Sequence, residues 1–570
     1  MPPRNPLPID PSFLTSEDYI ASLLNFVTSH SLFQTLCGGV HILDFLTRDA
    51  DLYSTVIPID WRDWFESQNI SSIIHLVLRE DVYRVEKTRD VRKDQSSVGN
   101  DAGSTLPPQN FLDYIITIRR HCLNRDFSPA RGLSRASDLP RPTTVGMKPK
   151  KVHEVQNFAA YVDALSHYLS DSQQTPSHIV DFGSGQNYLG RALAGPPYGR
   201  SVIALESKHH NIGGAQAMDV HAKIAEKQKN IRNKKAYRSQ SQNLQCLSPG
   251  DDSSQPPFNG LVKYVEIMIK DGDLRSIMED VELAHEGDSN EPQLLVISLH
   301  SCGNLLHHGL RSIVLNHSVK AVALIGCCYN LMTERLGPPT FKIPSLRSPS
   351  LRLDQTSSAC DPHGFPMSTR MVEHSHKHGK GLRFNITARM MACQAPQNWT
   401  RQDCESFFTR HFYRALLQRI LLDRGIVGKP AEMGKNEADT SDGEDHLVSG
   451  PAITIGSLRK SCYASFVTYV RGALSKLAAD PDQRGRTTEA LADLTDAEIE
   501  HYEEIYASRR KDLGILWTLM AFSATLVESA IVVDRWLYLK EQPDIAECWV
   551  EPVFEYQQSP RNLVVVGVKK

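Results

Sequence analysis

The sequence predicts an α/β protein: a mostly parallel sheet with an antiparallel hairpin closing it near the C-terminal end. Three observations carry this. From residue 145 onward, short apolar runs alternate with helical patterns, the signature of βαβ units. Two of those runs, Leu294–Leu299 and Val319–Ile325, are apolar almost without a break, as in strands covered on both faces. The segment HIVDFGSGQNYLGRAL (His178–Leu193) sets a glycine turn between a strand and a helix, the arrangement that lets backbone approach a ligand closely.

The elements follow in chain order. Residues 1–140 read as a helical N-terminal region. Ile20, Leu23, Leu24, Phe26 and Val27 recur at helical spacing, and Trp61 and Trp64 follow a helix start as core residues. A polar, Gly/Ser-rich insertion lies near 87–107. Residues 141–570 read as the α/β domain. A helix over Lys150–Leu169 opens with KKVHEV, and strands are predicted at Ile179–Asp181, Ser201–Glu206, Val262–Ile269, Leu294–Leu299 and Val319–Ile325. Stretches near 239–257, 344–380 and 430–446 are too polar to bury a core and read as disordered insertions. Phe407–Leu422 and Leu513–Leu539 read as long helices. Cys548–Tyr556 and Asn562–Val568 read as the closing hairpin.

Composition narrows the class. At 570 residues the chain has room for two or more domains, and 41% apolar with 23% charged residues is ordinary for a globular protein. A net charge of −3 carries no global signal for nucleic acid, and DNA sequence recognition is not expected. The N-terminal segment has no apolar run of the secretory kind, and the 11 cysteines have no regular spacing. Free thiols and an intracellular location, cytoplasmic or nuclear, are the expectation. Leu513–Val533 is apolar enough to raise a membrane question, but it contains Glu528 and runs into Asp534 and Arg535. It reads as a buried core helix, with no membrane partner.

Ligands of open α/β sheets bind outside the carboxyl ends of the strands, so the candidate site is the set of residues just past them. After the first strand come Asp181, Gly183, Ser184 and Gly185 in a D-x-G-x-G pattern, distinct from both G-x-G-x-x-G and the P-loop. Glu206 ends the second strand about 20 residues later, placed for ribose hydroxyls. Asp271 follows the third strand, suited to an adenine edge. His300 and Asn304 follow the fourth; Cys327, Cys328 and Tyr329 follow the fifth. His153 and Glu154, on the helix before the first strand, are candidates with His300 and Asn304 for base or orienting roles. Lys150, Lys151, Cys327, Cys328 and Tyr329 are candidate substrate contacts. His300, Cys302, Cys327 and Cys328 form a conceivable zinc set, but the spacing is not C-x-x-C, and no metal is expected. Lys208–Arg238 carries eight Lys/Arg against Asp219 and Glu226, a net +6. It reads as a solvated face or an RNA-backbone contact. The run His374, His376, His378 is an adventitious metal binder at most.

D-x-G-x-G after a strand resembles the S-adenosylmethionine (AdoMet) loop of Rossmann-like methyltransferases. The motifs MKPKKVHEV, DFGSGQNYLGRAL, SLHSCGNL and IGCCYN, with GFPMS (Gly364–Ser368), ARMMACQ, FYRALL, DRWLYLKE (Asp534–Glu541) and SPRN (Ser559–Asn562), resemble the methyltransferase-like protein 25 family. Its relatives include proteins named for a ribosomal RNA adenine dimethylase domain. The resemblance runs from about Leu43 to the end, outside the insertions. It implies a Rossmann-like class I methyltransferase fold with a helical N-terminal extension. It also implies AdoMet as cofactor and an acceptor that is RNA or ribosome-related first, protein second. Asp181, Gly183, Ser184, Gly185, Glu206, Asp271 and His300 then line the cofactor. Where adenine dimethylases carry an N/D-P-P-Y tetrapeptide this chain reads HSCGN, which argues against N6-adenine chemistry. The alternative is a non-catalytic RNA- or ribosome-associated module that keeps the fold. A zinc-dependent hydrolase built on the Cys/His cluster ranks well below both.

Overall fold

A computed structural model describes residues 2–48, 51–85, 106–128, 138–222, 261–280, 292–336, 361–428, 452–480 and, apart from 486 and 488, 484–570. The parts of the expected insertions at 87–105, 239–257, 344–360 and 430–446, and the basic stretch beyond Ala222, lie outside the described residues. The chain forms two compact units. The first is Met1–Pro6, Arg125–Cys327 and Gln542–Lys570; the second is Leu7–Asn124 and Cys328–Glu541.

The first unit holds the predicted sheet. Its strands are β1 (His178–Phe182), β2 (Val202–Glu206), β3 (Val262–Glu266), β4 (Leu294–Ser301), β5 (Val319–Gly326), β6 (Ile545–Pro552) and β7 (Leu563–Lys569). Their spatial order is β3-β2-β1-β4-β5-β7-β6. Strands β1 to β5 are mutually parallel; β7 runs antiparallel to β5, and β6 antiparallel to β7. The α/β Rossmann-like methyltransferase fold with its closing hairpin is therefore present. Strand β3 stops at Glu266, three residues short of the expected end. The strand order reverses between β1 and β4, so the loops after these two strands flank the crevice where open α/β sheets hold ligands.

Helix α1 (Pro149–Asp171) covers one face. Pro149 starts it at a position where a missing N–H costs nothing. Val155, Phe158, Val162, Leu165 and Leu169 then recur at three- and four-residue steps and bury against Ile179, Ile297, Ala323 and Val566. Each such side chain contributes about 1.5–3 kcal/mol. Helices α2 (Tyr188–Ala194), α3 (His209–His221) and α4 (Leu305–Leu315) complete the layers around the sheet.

The second unit is helical, with α5 (Arg401–Asp423) and the 32-residue α6 (Arg509–Lys540) as its longest elements. Among the described residues α6 is the one helix long and apolar enough to cross a membrane. Its most apolar stretch is 94% buried within the protein, as a core helix should be. Tyr114 and the Leu123 amide hydrogen-bond to Ser523 and Ser529 on it, at 2.7 and 3.0 Å. Residues 361–380 carry a short helix, Thr369–Glu373, and a two-stranded hairpin that includes His376.

The motifs GFPMS and DRWLYLKE meet in this unit. Asp534 is fully buried and accepts hydrogen bonds from the Met367 amide (2.7 Å), the Ser368 amide (2.9 Å) and the Ser368 hydroxyl (2.6 Å). Burial pushes its carboxyl up to about 6, against the pull of those three donors and Arg535. Replacing Asp534 with alanine strands the three donors in the core. The expected loss is about 3–5 kcal/mol, read as a lower midpoint in urea unfolding. An unchanged midpoint would show that the donors find other acceptors.

Candidate active site

The glycine turn after β1 is held in place by β2. The amides of Gly183 and Ser184 both donate to the Leu205 carbonyl, at 2.9 and 3.0 Å. Gly183 and Gly185 are left-handed, at φ +69° and +58°, a conformation that suits residues without a Cβ. The two glycines differ in what surrounds them. A Cβ on Gly183 would lie 2.7 Å from the Leu305 side chain, whereas one on Gly185 would meet no atom within 4 Å. The second glycine thus borders open space, as the floor of a ligand cradle would. Between them, the Ser184 hydroxyl is buried and has no hydrogen-bond partner among the described residues. A buried hydroxyl in that state has hydrogen-bonding capacity left unspent.

Two acids face this turn. Glu206, at the end of β2, accepts the Gly185 amide at 2.8 Å through one oxygen and the Lys208 amide at 2.9 Å through the other. Asp181 is almost fully buried. Burial first, and the neighbouring Glu206 second, push its carboxyl up to about 7; Lys151 pulls the other way. Asp271 lies on the exposed turn beyond β3, where it accepts the Asp273 amide at 3.0 Å.

Behind the turn runs a chain of polar side chains that the motif reading did not single out. Asn187, left-handed and fully buried, donates to the Tyr264 hydroxyl at 2.8 Å; that hydroxyl donates to Asp219. Asp219 accepts Arg191 at 2.8 Å, and Arg191 also donates to the carbonyls of Gln186 and Ala215. The chain ties the turn to β3 and α3. The one signal for it in the sequence was an Asn directly at the helix start.

The second half of the site forms where β4 ends. The pairing of β4 with β5 slips between Leu299 and Ser301, and His300 sits left-handed at φ +72°. An irregularity of this kind re-aims a side chain. Here it turns the imidazole onto α1, where Nε2 donates to Glu154 at 2.9 Å. Glu154 is fully buried and accepts three further contacts: Lys151 at 2.9 Å, the Ser559 hydroxyl at 2.7 Å and, more distantly, Lys150 at 3.9 Å. Burial raises its pKa, but the His300 hydrogen bond and charge, with Lys151, outweigh this and hold the carboxyl down at about 2. With Nε2 engaged by the carboxylate, Nδ1 is the ring nitrogen left to accept a proton when the imidazole is neutral. The His300 side chain is 30% exposed, so the dyad borders solvent while its carboxylate does not.

Of the residues singled out from the sequence, Asp181, Lys151, Glu154 and His300 come together beside the Gly183–Gly185 turn and Glu206. His153 does not join them. Its Nε2 accepts the Glu555 amide at 3.1 Å, so its ring is committed to the C-terminal hairpin, and burial lowers its pKa. Asn304 precedes α4, beyond the left-handed Gly303. Cys327 ends the middle segment of the first unit, with its sulfur 3.2 Å from that of Cys302. His300 is not among the thiol group; its Nε2 is engaged by Glu154. Cys328 and Tyr329 open the second segment of the second unit, where the buried Tyr329 donates to Glu528 at 2.8 Å. Ser559, missed in the sequence reading, lies in the SPRN motif, 405 residues from the carboxylate it holds.

Comparison with known proteins agrees with this layout. A family model described as a methyltransferase domain matches residues 150–335. The chain is 23% identical over 523 residues to the human protein named probable methyltransferase-like protein 25, covering 74% of this chain and 75% of that one. It is 30% identical over 305 residues to the protein of the same name from Mus musculus, covering 53% of this chain and 40% of that one.

Proposed function

The chain belongs to a methyltransferase family that has methyltransferase-like protein 25 among its relatives, and from that premise we propose that it transfers methyl groups from AdoMet, to an RNA acceptor before a protein one. The observation that carries the cofactor reading is the turn after β1. It combines an orphaned buried Ser184 hydroxyl, open space over Gly185, and two buried acids, Asp181 and Glu206. Ser184 and the turn backbone would hold the polar end of the cofactor, Asp181 its cationic amine, and Glu206 its ribose hydroxyls. Bound AdoMet supplies a methyl group activated on a sulfonium.

The remaining work falls to this chain's own residues. Glu154 fixes the His300 ring by its Nε2 proton and leaves Nδ1 as the acceptor for a proton from the group to be methylated. Lys151 and Ser559 keep Glu154 ionised and oriented. Positioning contributes most of the rate in a displacement of this kind. The RNA preference draws on the +6 stretch Lys208–Arg238, which begins two residues after Glu206.

The test is transfer of a labelled methyl from AdoMet to separated RNA and protein fractions, with His300→Ala beside the wild type. Label in RNA, lost in the variant, supports the reading. Tight AdoMet binding without label in any fraction would favour a non-catalytic module.

Asp181 makes the cofactor step pH-dependent. A carboxyl near 7 is protonated below that pH, and a bound cation favours the ionised form. AdoMet affinity is therefore expected to tighten as pH rises from 6 to 8, and to weaken by up to about tenfold per unit below 7. Calorimetry across this range should show proton release on binding near pH 7. Asp181→Asn should flatten the profile, and a flat wild-type profile would remove Asp181 from the cation site.

A further inference from the structure

Cys302 and Cys327 lie one residue beyond the registered pair Ser301 and Gly326, at the ends of neighbouring parallel strands. Adjacent strands run about 4.8 Å apart, inside the roughly 4.4–6.8 Å between Cα atoms that a disulfide spans. The Cys327 amide donates to the Ser301 carbonyl at 3.2 Å and holds the two ends side by side. The two sulfurs are 3.2 Å apart, in hydrogen-bonding contact. Each also lies within reach of the His300 carbonyl, at 3.4 Å for Cys302 and 3.5 Å for Cys327. Both residues are partly exposed.

We propose that Cys302 and Cys327 are an oxidisable dithiol, a modification site for low-molecular-weight disulfides, and that its closure into a bridge disarms His300. The thiolate of one cysteine attacks the small disulfide, forms a mixed disulfide and expels one small thiolate, which takes up the proton that cysteine gave up. The second cysteine, deprotonated in turn, attacks the mixed disulfide at the first cysteine's sulfur. The Sγ–Sγ bond forms and a second small thiol leaves with the second proton. Two cysteine thiols have then lost two electrons, and one small disulfide has become two thiols. The bridge leaves no S–H to donate to the His300 carbonyl. That carbonyl belongs to the left-handed residue whose backbone aims the imidazole at Glu154, so the ring shifts when its backbone does.

Formation of the bridge stands apart from the methyltransferase reading; its effect on turnover rests on that reading. Reduced full-length protein is incubated with oxidised glutathione, alkylated, digested without reduction and mapped by mass spectrometry. The expected product is a Cys302–Cys327 peptide pair and the loss of two thiols per chain. The pair should persist in Cys328→Ser and be absent in Cys302→Ser. If both cysteines stay alkylatable, or Cys302 pairs elsewhere, the proposal is overturned. In parallel, His300 acylation by diethyl pyrocarbonate should change rate on bridging and return with dithiothreitol. An unchanged rate would overturn the disarming. Methyl transfer should fall by about 10²-fold on oxidation, recover on reduction, and be insensitive to oxidant in Cys302→Ser. A bridged protein that alters His300 reactivity, with no transfer in either redox state, would leave the dithiol standing and sink the methyltransferase reading instead.

Discussion

Gly185→Val is expected to weaken cofactor binding strongly while leaving the fold intact. The backbone there is left-handed, which costs an L-residue about 1–2 kcal/mol, and no protein atom lies within 4 Å of the new Cβ. The protein therefore has space for the side chain, and the loss falls on whatever occupies that space. An AdoMet affinity reduced on the order of a hundredfold, about 3 kcal/mol, is the expected calorimetric result, with circular dichroism unchanged. Gly183→Ala makes the contrast. Its Cβ would collide with Leu305 inside the protein, so it should lower the unfolding midpoint as well as the affinity. Unchanged AdoMet binding in Gly185→Val would place the cofactor somewhere other than over this turn.

The dyad carries the second large effect. His300→Ala removes the proposed base and is expected to lower turnover by about 10²–10⁴-fold while AdoMet still binds. Glu154→Gln should lower turnover similarly, and it adds a stability signature. The folded-state pKa of Glu154, about 2, lies below its unfolded value near 4.3. Its ionisation therefore stabilises the protein above that unfolded value, and the stabilisation is lost as pH falls toward 2. The gap corresponds to about 3 kcal/mol. Urea midpoints of wild type and Glu154→Gln should thus differ at pH 7 and converge near pH 2–3. A gap that persists unchanged in acid would mean that the side chain matters for its shape and not its charge.

The sequence made some of this architecture legible and hid the rest for definable reasons. Strands β4 and β5 were readable because burial on both faces leaves an apolar run with no alternation to confuse. Asp181, the glycine turn and Glu206 were readable because a βα turn and the next strand end lie within about 25 residues of each other, so local order fixes their meeting. Glu154 and His300 were each nameable but not as a pair. Their contact spans 146 residues and depends on a left-handed bulge that no local pattern encodes. Ser559 was visible only as part of a motif, because its partner lies 405 residues away. The same distance problem hid the second unit, where Tyr114 meets Ser523 across 409 residues.

The position of β7 has a consequence during synthesis. This strand lies between β5 and β6, yet its residues 563–569 are translated only after the whole of 328–541 has emerged. Until then β5 is an exposed edge of apolar backbone, and Glu154 lacks the hydroxyl of Ser559. A growing chain therefore carries an unfinished sheet for most of its time on the ribosome. A stop codon shortly before residue 559 would act as a null, with nearly all of the protein made, the sheet left open and the carboxylate half-held.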